Sequence, residues 1–145
     1  MIPRLIDIGG PFKVLPTGEH EATLGEIESV FAINEHRKKL FNGFKAAIAV
    51  FKLAGCKTIF LDGSFVTDKE KPEDYDTCWS SYGVDLNKLD PVFFNFDNKR
   101  FFQKQKYFGE FFPTDYIADG FNTFQEYFQK DKYTGKPKGI ICIKL

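Results

Sequence analysis

The residues with the most chemical content lie between positions 63 and 76. Gly63-Ser64 is followed, ten positions after Ser64, by Asp74-Tyr75-Asp76. Side chains alternate faces along a strand, so a strand through Asp74 and Asp76 projects both carboxylates from one face, about 7 Å apart. Such charges repel unless something positive lies between them. A divalent cation meets that need: Mg²⁺ prefers hard oxygen ligands and takes one or two carboxylates with phosphate oxygens and water. The competing reading of an isolated Asp-x-Asp is a solvated acidic turn. Gly63-Ser64 shifts the balance. It ends Lys57–Leu61 (KTIFL), which reads as a strand, and precedes Phe65 and Val66, which can open a helix. Glycine lets a phosphate approach the backbone because no Cβ intervenes. A helix start presents free amides to an anion, and the serine hydroxyl adds a donor. Gly-Ser alone reads as a turn. The two signals together describe a site for a nucleoside triphosphate with Mg²⁺.

The elements that must position these residues are legible around them. Residues 1–18 hold Pro3, Gly9, Gly10, Pro11, Pro16 and Gly18 and read as an irregular arm of a single 1–145 domain. Thr23 with Glu26 three residues later is a capping-box pattern, followed by a short helix ending near Ala32 or Ile33. Asn34 can cap a second helix, whose apolar positions Leu40, Phe41, Phe44, Ala47, Ile48, Phe51 and Leu53 recur mostly at three and four. Gly55 suits its stop. A second strand is expected over Tyr75–Tyr82, a turn or short helix over Asp85–Asp90, and a helix over Asn98–Gln105. A third strand is expected over Tyr107–Phe112, a helix carrying Phe121, Phe124, Tyr127 and Phe128, and a final strand over Ile140–Leu145. Helices packed on a small mixed sheet make an α+β (α/β two-layer) arrangement.

Composition narrows the classes. Lys+Arg and Asp+Glu are 20 each, a formal net charge of zero. That argues against a dedicated nucleic-acid coat or membrane-surface binder, which need a summed positive field. Eighteen Phe and 43% hydrophobic residues supply a core and argue against disorder. The longest apolar run, Ala46 to Phe51, is six residues, far short of the roughly 20 that span a bilayer. The N-terminus lacks an apolar signal segment, and Cys56, Cys78 and Cys142 are too scattered for a disulfide framework. A cytoplasmic protein is expected.

Strand, Gly-Ser, about ten residues and then Asp-x-Asp resembles the polymerase-beta-like nucleotidyltransferase superfamily. More closely, PTGEHEATLGEIESVFAINEHRKKLFNGF with CKTIFLDGSFVTDKEKPEDYD looks like a family of short bacterial and phage nucleotidyltransferase-like proteins, over Leu15 to Asp76. The resemblance implies that Gly63 and Ser64 hold the triphosphate and that Asp74 and Asp76 hold Mg²⁺ or Mn²⁺. It also implies a third carboxylate on a later strand. Glu110, alone among Tyr107, Phe108, Phe111 and Phe112, is the candidate; an edge-strand Glu facing water is the alternative, and Asp97 and Asp115 are weaker rivals. The implied activity moves NMP from an NTP to a macromolecular acceptor, protein or tRNA, as in toxin–antitoxin or phage-defence systems. The runner-up is a catalytically impaired module that binds a nucleotide or a protein partner, since Glu110 stands where active members more often have Asp and no helical acceptor domain is present. A third reading is an unrelated α+β protein with a surface Asp-x-Asp turn.

Other residues read more plainly. His20 and His36 have no Cys at zinc-ligand spacing and read as surface or capping groups. Cys56, Cys142 and Trp79 read as core. Cys78 shares the face of Asp74 and Asp76 but lacks a His partner for nucleophilic work. Arg37-Lys38-Lys39 reads as a solvated helix face. Lys99, Arg100, Lys104 and Lys106, and Lys130, Lys132, Lys136 and Lys138, read as solvated surface or as contacts to a triphosphate or an RNA backbone.

Overall fold

Thr23 and Asn34 start the two helices as their types demand. In the computed structural model, which describes residues 1–145, α1 spans Leu24–Phe31 and α2 spans Glu35–Leu53. The Thr23 side chain accepts from the Glu26 amide, and Asn34 accepts from the Arg37 amide. The expected face of α2 is buried: Leu40, Phe41, Phe44, Ala47, Ile48 and Phe51.

Five strands form one mixed sheet: β1 (Glu19–Glu21), β2 (Thr58–Asp62), β3 (Tyr75–Trp79), β4 (Gly109–Pro113) and β5 (Ile140–Lys144). Their order is β1-β5-β2-β3-β4. β1 runs parallel to β5 and β3 parallel to β4, while β2 is antiparallel to both its neighbours. Alternation sorts the side chains into two cores. Ile59, Leu61, Tyr75, Trp79, Phe111, Ile141 and Ile143 join α1 and α2 in the larger cluster. Each fully buried Phe or Ile there contributes about 1.5–3 kcal/mol of apolar transfer. Phe60, Cys78, Phe112, Ile140 and Cys142 form the smaller cluster on the opposite face, under Phe124 and Phe128. The fold is α+β in two layers, as expected.

The open edge of β4 is closed by a helix. α3 (Asp97–Tyr107) sends Gln103 Oε1 to accept from the Phe111 amide at 2.9 Å, and Arg100 Nε to donate to the Phe111 carbonyl at 3.3 Å. Side chains thus stand where another strand would pair. Asn98, Lys99 and Arg100, expected as the start of a helix, instead adopt left-handed φ of 49, 55 and 61°. Gly109 admits the Tyr75 ring, which a Cβ would meet at 2.2 Å, and the Tyr75 hydroxyl donates to the Tyr107 carbonyl at 2.6 Å.

The structure departs from the sequence reading elsewhere too. β1 is an unforeseen strand inside a polar stretch. The aromatic helix shrinks to the single turn α4 (Phe124–Tyr127), because Thr123 caps it and leaves Phe121 91% exposed. Arg37 is buried, not solvated. Its guanidinium donates to the carbonyls of Phe31 (3.1 Å), Phe65 (2.7 Å), Thr67 (2.8 Å) and Lys69 (3.2 Å). Lys38 and Lys39 alone keep the solvated face. No helix is long and apolar enough to cross a membrane.

Candidate active site

Three strands deliver acids in register at one end of the sheet. Asp62 of β2 pairs with Asp76 of β3, and Asp76 pairs with Glu110 of β4. All three continue the face that carries Phe60, Cys78 and Phe112. Asp74, two residues before Asp76, lies just ahead of β3 on the same face. The corner after β2 closes on this row: a Cβ on Gly63 would lie 2.8 Å from Asp76 Oδ2 and 3.1 Å from the Asp76 amide nitrogen. Gly63, Ser64, Asp62, Asp74, Asp76 and Glu110 line one cavity of about 920 Å³, together with Lys130, Lys132, Lys138 and the rings of Phe12, Phe112, Phe124 and Tyr133. A second groove of about 880 Å³ at the far end of the sheet, lined by Thr23, Lys45, Ile48 and Ile143, includes none of these groups.

The helix foreseen after Gly63-Ser64 is one 3-10 turn, Ser64–Val66. Its own hydrogen bonds run from the Val66 and Thr67 amides to the Gly63 and Ser64 carbonyls. The Ser64 and Phe65 amides stand outside that ladder. The turn is held from behind by Arg37, which binds the carbonyls of Phe65, Thr67 and Lys69.

Burial and mutual repulsion dominate the electrostatics. Burial pushes the Asp62 carboxyl up to about 6, against the opposing pull of Lys138. Burial, then Glu110, pushes Asp74 up to about 6. Asp76 is held well above the usual carboxylate range by burial and then by Asp74, Glu110 and Asp62, with the charge of Lys138 opposing. Two ammonium groups already reach the acids. Lys138 Nζ lies 2.5 Å from Asp62 Oδ1, with both side chains nearly buried. Lys104 Nζ lies 2.9 Å from Glu110 Oε1 and 4.0 Å from Asp74 Oδ2. Its hydrogen bond to Glu110 holds the Lys104 ammonium above its ordinary range. Cys78 is buried, and burial raises its thiol well above its ordinary range, which disfavours the thiolate.

No three His, Cys, Asp or Glu side chains close into a ligand cage. Asp74 and Asp76 place two hard carboxylates on the wall that also holds Gly63 and Ser64. Two such groups could hold only an ion that keeps water or other oxygens in its shell, not one that needs an all-protein cage.

Gly63, Ser64, Asp74, Asp76 and Glu110 therefore share one cavity. Asp97 and Asp115 are exposed and lie off it. Sequence reasoning missed Asp62, which directly follows the expected strand Lys57–Leu61. The signal was alternation: Asp62 follows Phe60 by two and so shares its face. His20 and His36 are half-buried and bond the loop carbonyls of Pro16 and Pro72.

Fold and site together define a two-layer α+β protein with a carboxylate-walled cavity at one sheet end. Over residues 10–144 the chain matches the model of the Family of unknown function (DUF6932), and it belongs to that family. No curated protein and no solved structure matches the chain.

Proposed function

We propose that the protein is a divalent-cation-dependent nucleotidyltransferase, moving NMP from an NTP to a macromolecular acceptor, protein or RNA. The observation that carries this reading is the seat of Asp76 against Gly63, which unites the acid row and the Gly-Ser corner in one cavity. Asp74 and Asp76 would hold Mg²⁺ or Mn²⁺, with Glu110 as the third acid. When bound, the ion supplies charge neutralisation for the triphosphate and the departing pyrophosphate.

The chain's own groups supply the rest. The backbone at Gly63, free of a Cβ, and the Ser64 hydroxyl and amide receive phosphate oxygens. Lys138 and Lys132 place positive charge on the same cavity wall. The acceptor hydroxyl oxygen bonds to the α-phosphorus, the bond from that phosphorus to the bridging oxygen breaks, and pyrophosphate leaves with the electron pair. Glu110 accepts the hydroxyl proton. Two reduced, buried cysteines beside this wall, Cys78 and Cys142, accord with a cytoplasmic setting. A place in a toxin–antitoxin or phage-defence system belongs to the same proposal, by the resemblance noted above.

A second reading has its own observation. The Lys104–Glu110 and Lys138–Asp62 ion pairs already neutralise half the acid row, as in a module that binds a nucleotide without transferring it. Incubating the protein with each α-labelled NTP, Mg²⁺ and cell extract separates the two. Label on protein or RNA supports the enzyme; nucleotide retained without transfer supports the module.

A further inference from the structure

Two aromatic rings from opposite ends of the chain meet at the rim of the cavity. Phe12, in the N-terminal arm, and Tyr133, in the turn before β5, have ring centroids 6.1 Å apart with planes at 71°. Both line the cavity that holds the Gly-Ser corner and the acids. Core packing does not account for them: Tyr133 is 53% exposed and Phe12 half-buried.

The arm is tied down on both sides of Phe12. The Lys13 amide donates to Asp68 Oδ1 at 2.8 Å, joining the arm to the loop after Ser64. Lys136 Nζ donates to the Ile8 carbonyl at 2.9 Å, joining it to the turn that carries Tyr133. Each ring also carries an ammonium: Lys69 Nζ lies 5.6 Å from the Phe12 centroid and Lys132 Nζ 5.0 Å from that of Tyr133. Lys132 lines the same cavity as Asp74 and Asp76.

Exposed ring faces interleaved with lysines, beside a corner that suits phosphate, are the chemistry by which a nucleobase is held through stacking while its phosphates are held through charge. We propose that Phe12 and Tyr133 form a base clamp: the nucleobase of the triphosphate stacks on them while its phosphates run to Gly63 and Ser64. This rests on the triphosphate reading above and deepens it. Every base has a π face, so the clamp accepts all four, with the larger purines held more tightly.

Calorimetric titration in Mg²⁺ compares ATP with inorganic tripolyphosphate on the wild type, Tyr133→Ala, Tyr133→Phe and Phe12→Leu, each checked by thermal melting. Tyr133 is exposed, so Tyr133→Ala is expected to fold. The clamp requires ATP to bind the wild type more tightly than tripolyphosphate. It also requires Tyr133→Ala and Phe12→Leu to lose about tenfold for ATP and nothing for tripolyphosphate, and Tyr133→Phe to bind as wild type. Equal wild-type affinity for the two ligands overturns the clamp and leaves the phosphate site standing. So does an ATP preference that survives both Tyr133→Ala and Phe12→Leu. If neither ligand binds the wild type, the triphosphate reading falls, and the clamp with it.

Discussion

Gly63 and Asp76 occupy a single corner, so close that any side chain on Gly63 would meet the Asp76 carboxylate at 2.8 Å. The backbone at Gly63, φ 82° and ψ −168°, lies in a region that is essentially glycine-only. Gly63→Ala is therefore expected to cost about 1–3 kcal/mol and to abolish triphosphate binding. Ser64→Ala, which strains nothing, should leave stability within about 0.5 kcal/mol and weaken binding only. Thermal melts beside nucleotide titrations check both. A Gly63→Ala protein that melts and binds as wild type contradicts the corner.

The acids predict an unusual pH dependence. Asp62 and Asp74 are raised to about 6 and Asp76 well above the usual range. The unfolded chain releases these protons from about pH 4 upward, while the folded protein retains them. Unfolding thus releases protons, and stability falls as pH rises. The penalty grows from about pH 4 to about pH 6 for Asp62 and Asp74 and continues beyond for Asp76. Melting temperature should drop between pH 5 and pH 7.5, with Asp76→Asn flattening the drop and melting higher at pH 7.5. A rise in melting temperature over that range contradicts the assignment.

Lys138 is the partner that keeps Asp62 ionised in a nearly dry setting. Removing one member of a buried pair strands the other, at about 3–5 kcal/mol. Lys138→Met should show that loss at pH 8 and much less at pH 5, where Asp62 takes a proton. The double variant Asp62→Asn with Lys138→Met should recover most of it. A chemical-denaturation cycle at the two pH values measures the coupling; equal losses at both would contradict it.

Arg37 braces the phosphate corner from inside the fold. Its loss leaves the carbonyls of Phe31, Phe65, Thr67 and Lys69 without that donor. The Phe31 and Phe65 carbonyls are the buried ones, and each stranded buried group costs about 1–3 kcal/mol. Arg37→Met should lower stability by roughly 3–5 kcal/mol, and Arg37→Lys should rescue only part, because an ammonium cannot span four carbonyls. Hydrogen exchange should show the 64–69 loop opening first. Unchanged protection in Arg37→Met would contradict the brace.

How far the sequence disclosed all this depended on local signal. α2 was legible because Asn34 marks its start and its apolar spacing, from Leu40 to Leu53, runs for more than three turns. Asp74, Asp76 and the Gly63-Ser64 corner were legible because both signals lie within one short stretch. β1 was not: three polar residues carry no apolar alternation, and only pairing with β5 makes them a strand. The burial of Arg37 was masked by its lysine neighbours, although it shares a helix face with Leu40, Phe41 and Phe44 by spacing of three, four and seven. Asp62 needed the β2–β3 register, a long-range fact. The cross-chain approach of Phe12 to Tyr133 has no local signature at all.

The most direct test of one shared ion-and-triphosphate site is Mn²⁺ binding, followed by electron spin resonance, with and without a non-hydrolysable NTP. Because no closed carboxylate cage exists, Mn²⁺ alone should bind the wild type weakly. The triphosphate should tighten it by about tenfold or more, and Asp76→Asn should lose both effects while staying folded. If Asp76→Asn takes up Mn²⁺ and triphosphate as the wild type does, the site does not lie where Asp76 meets Gly63.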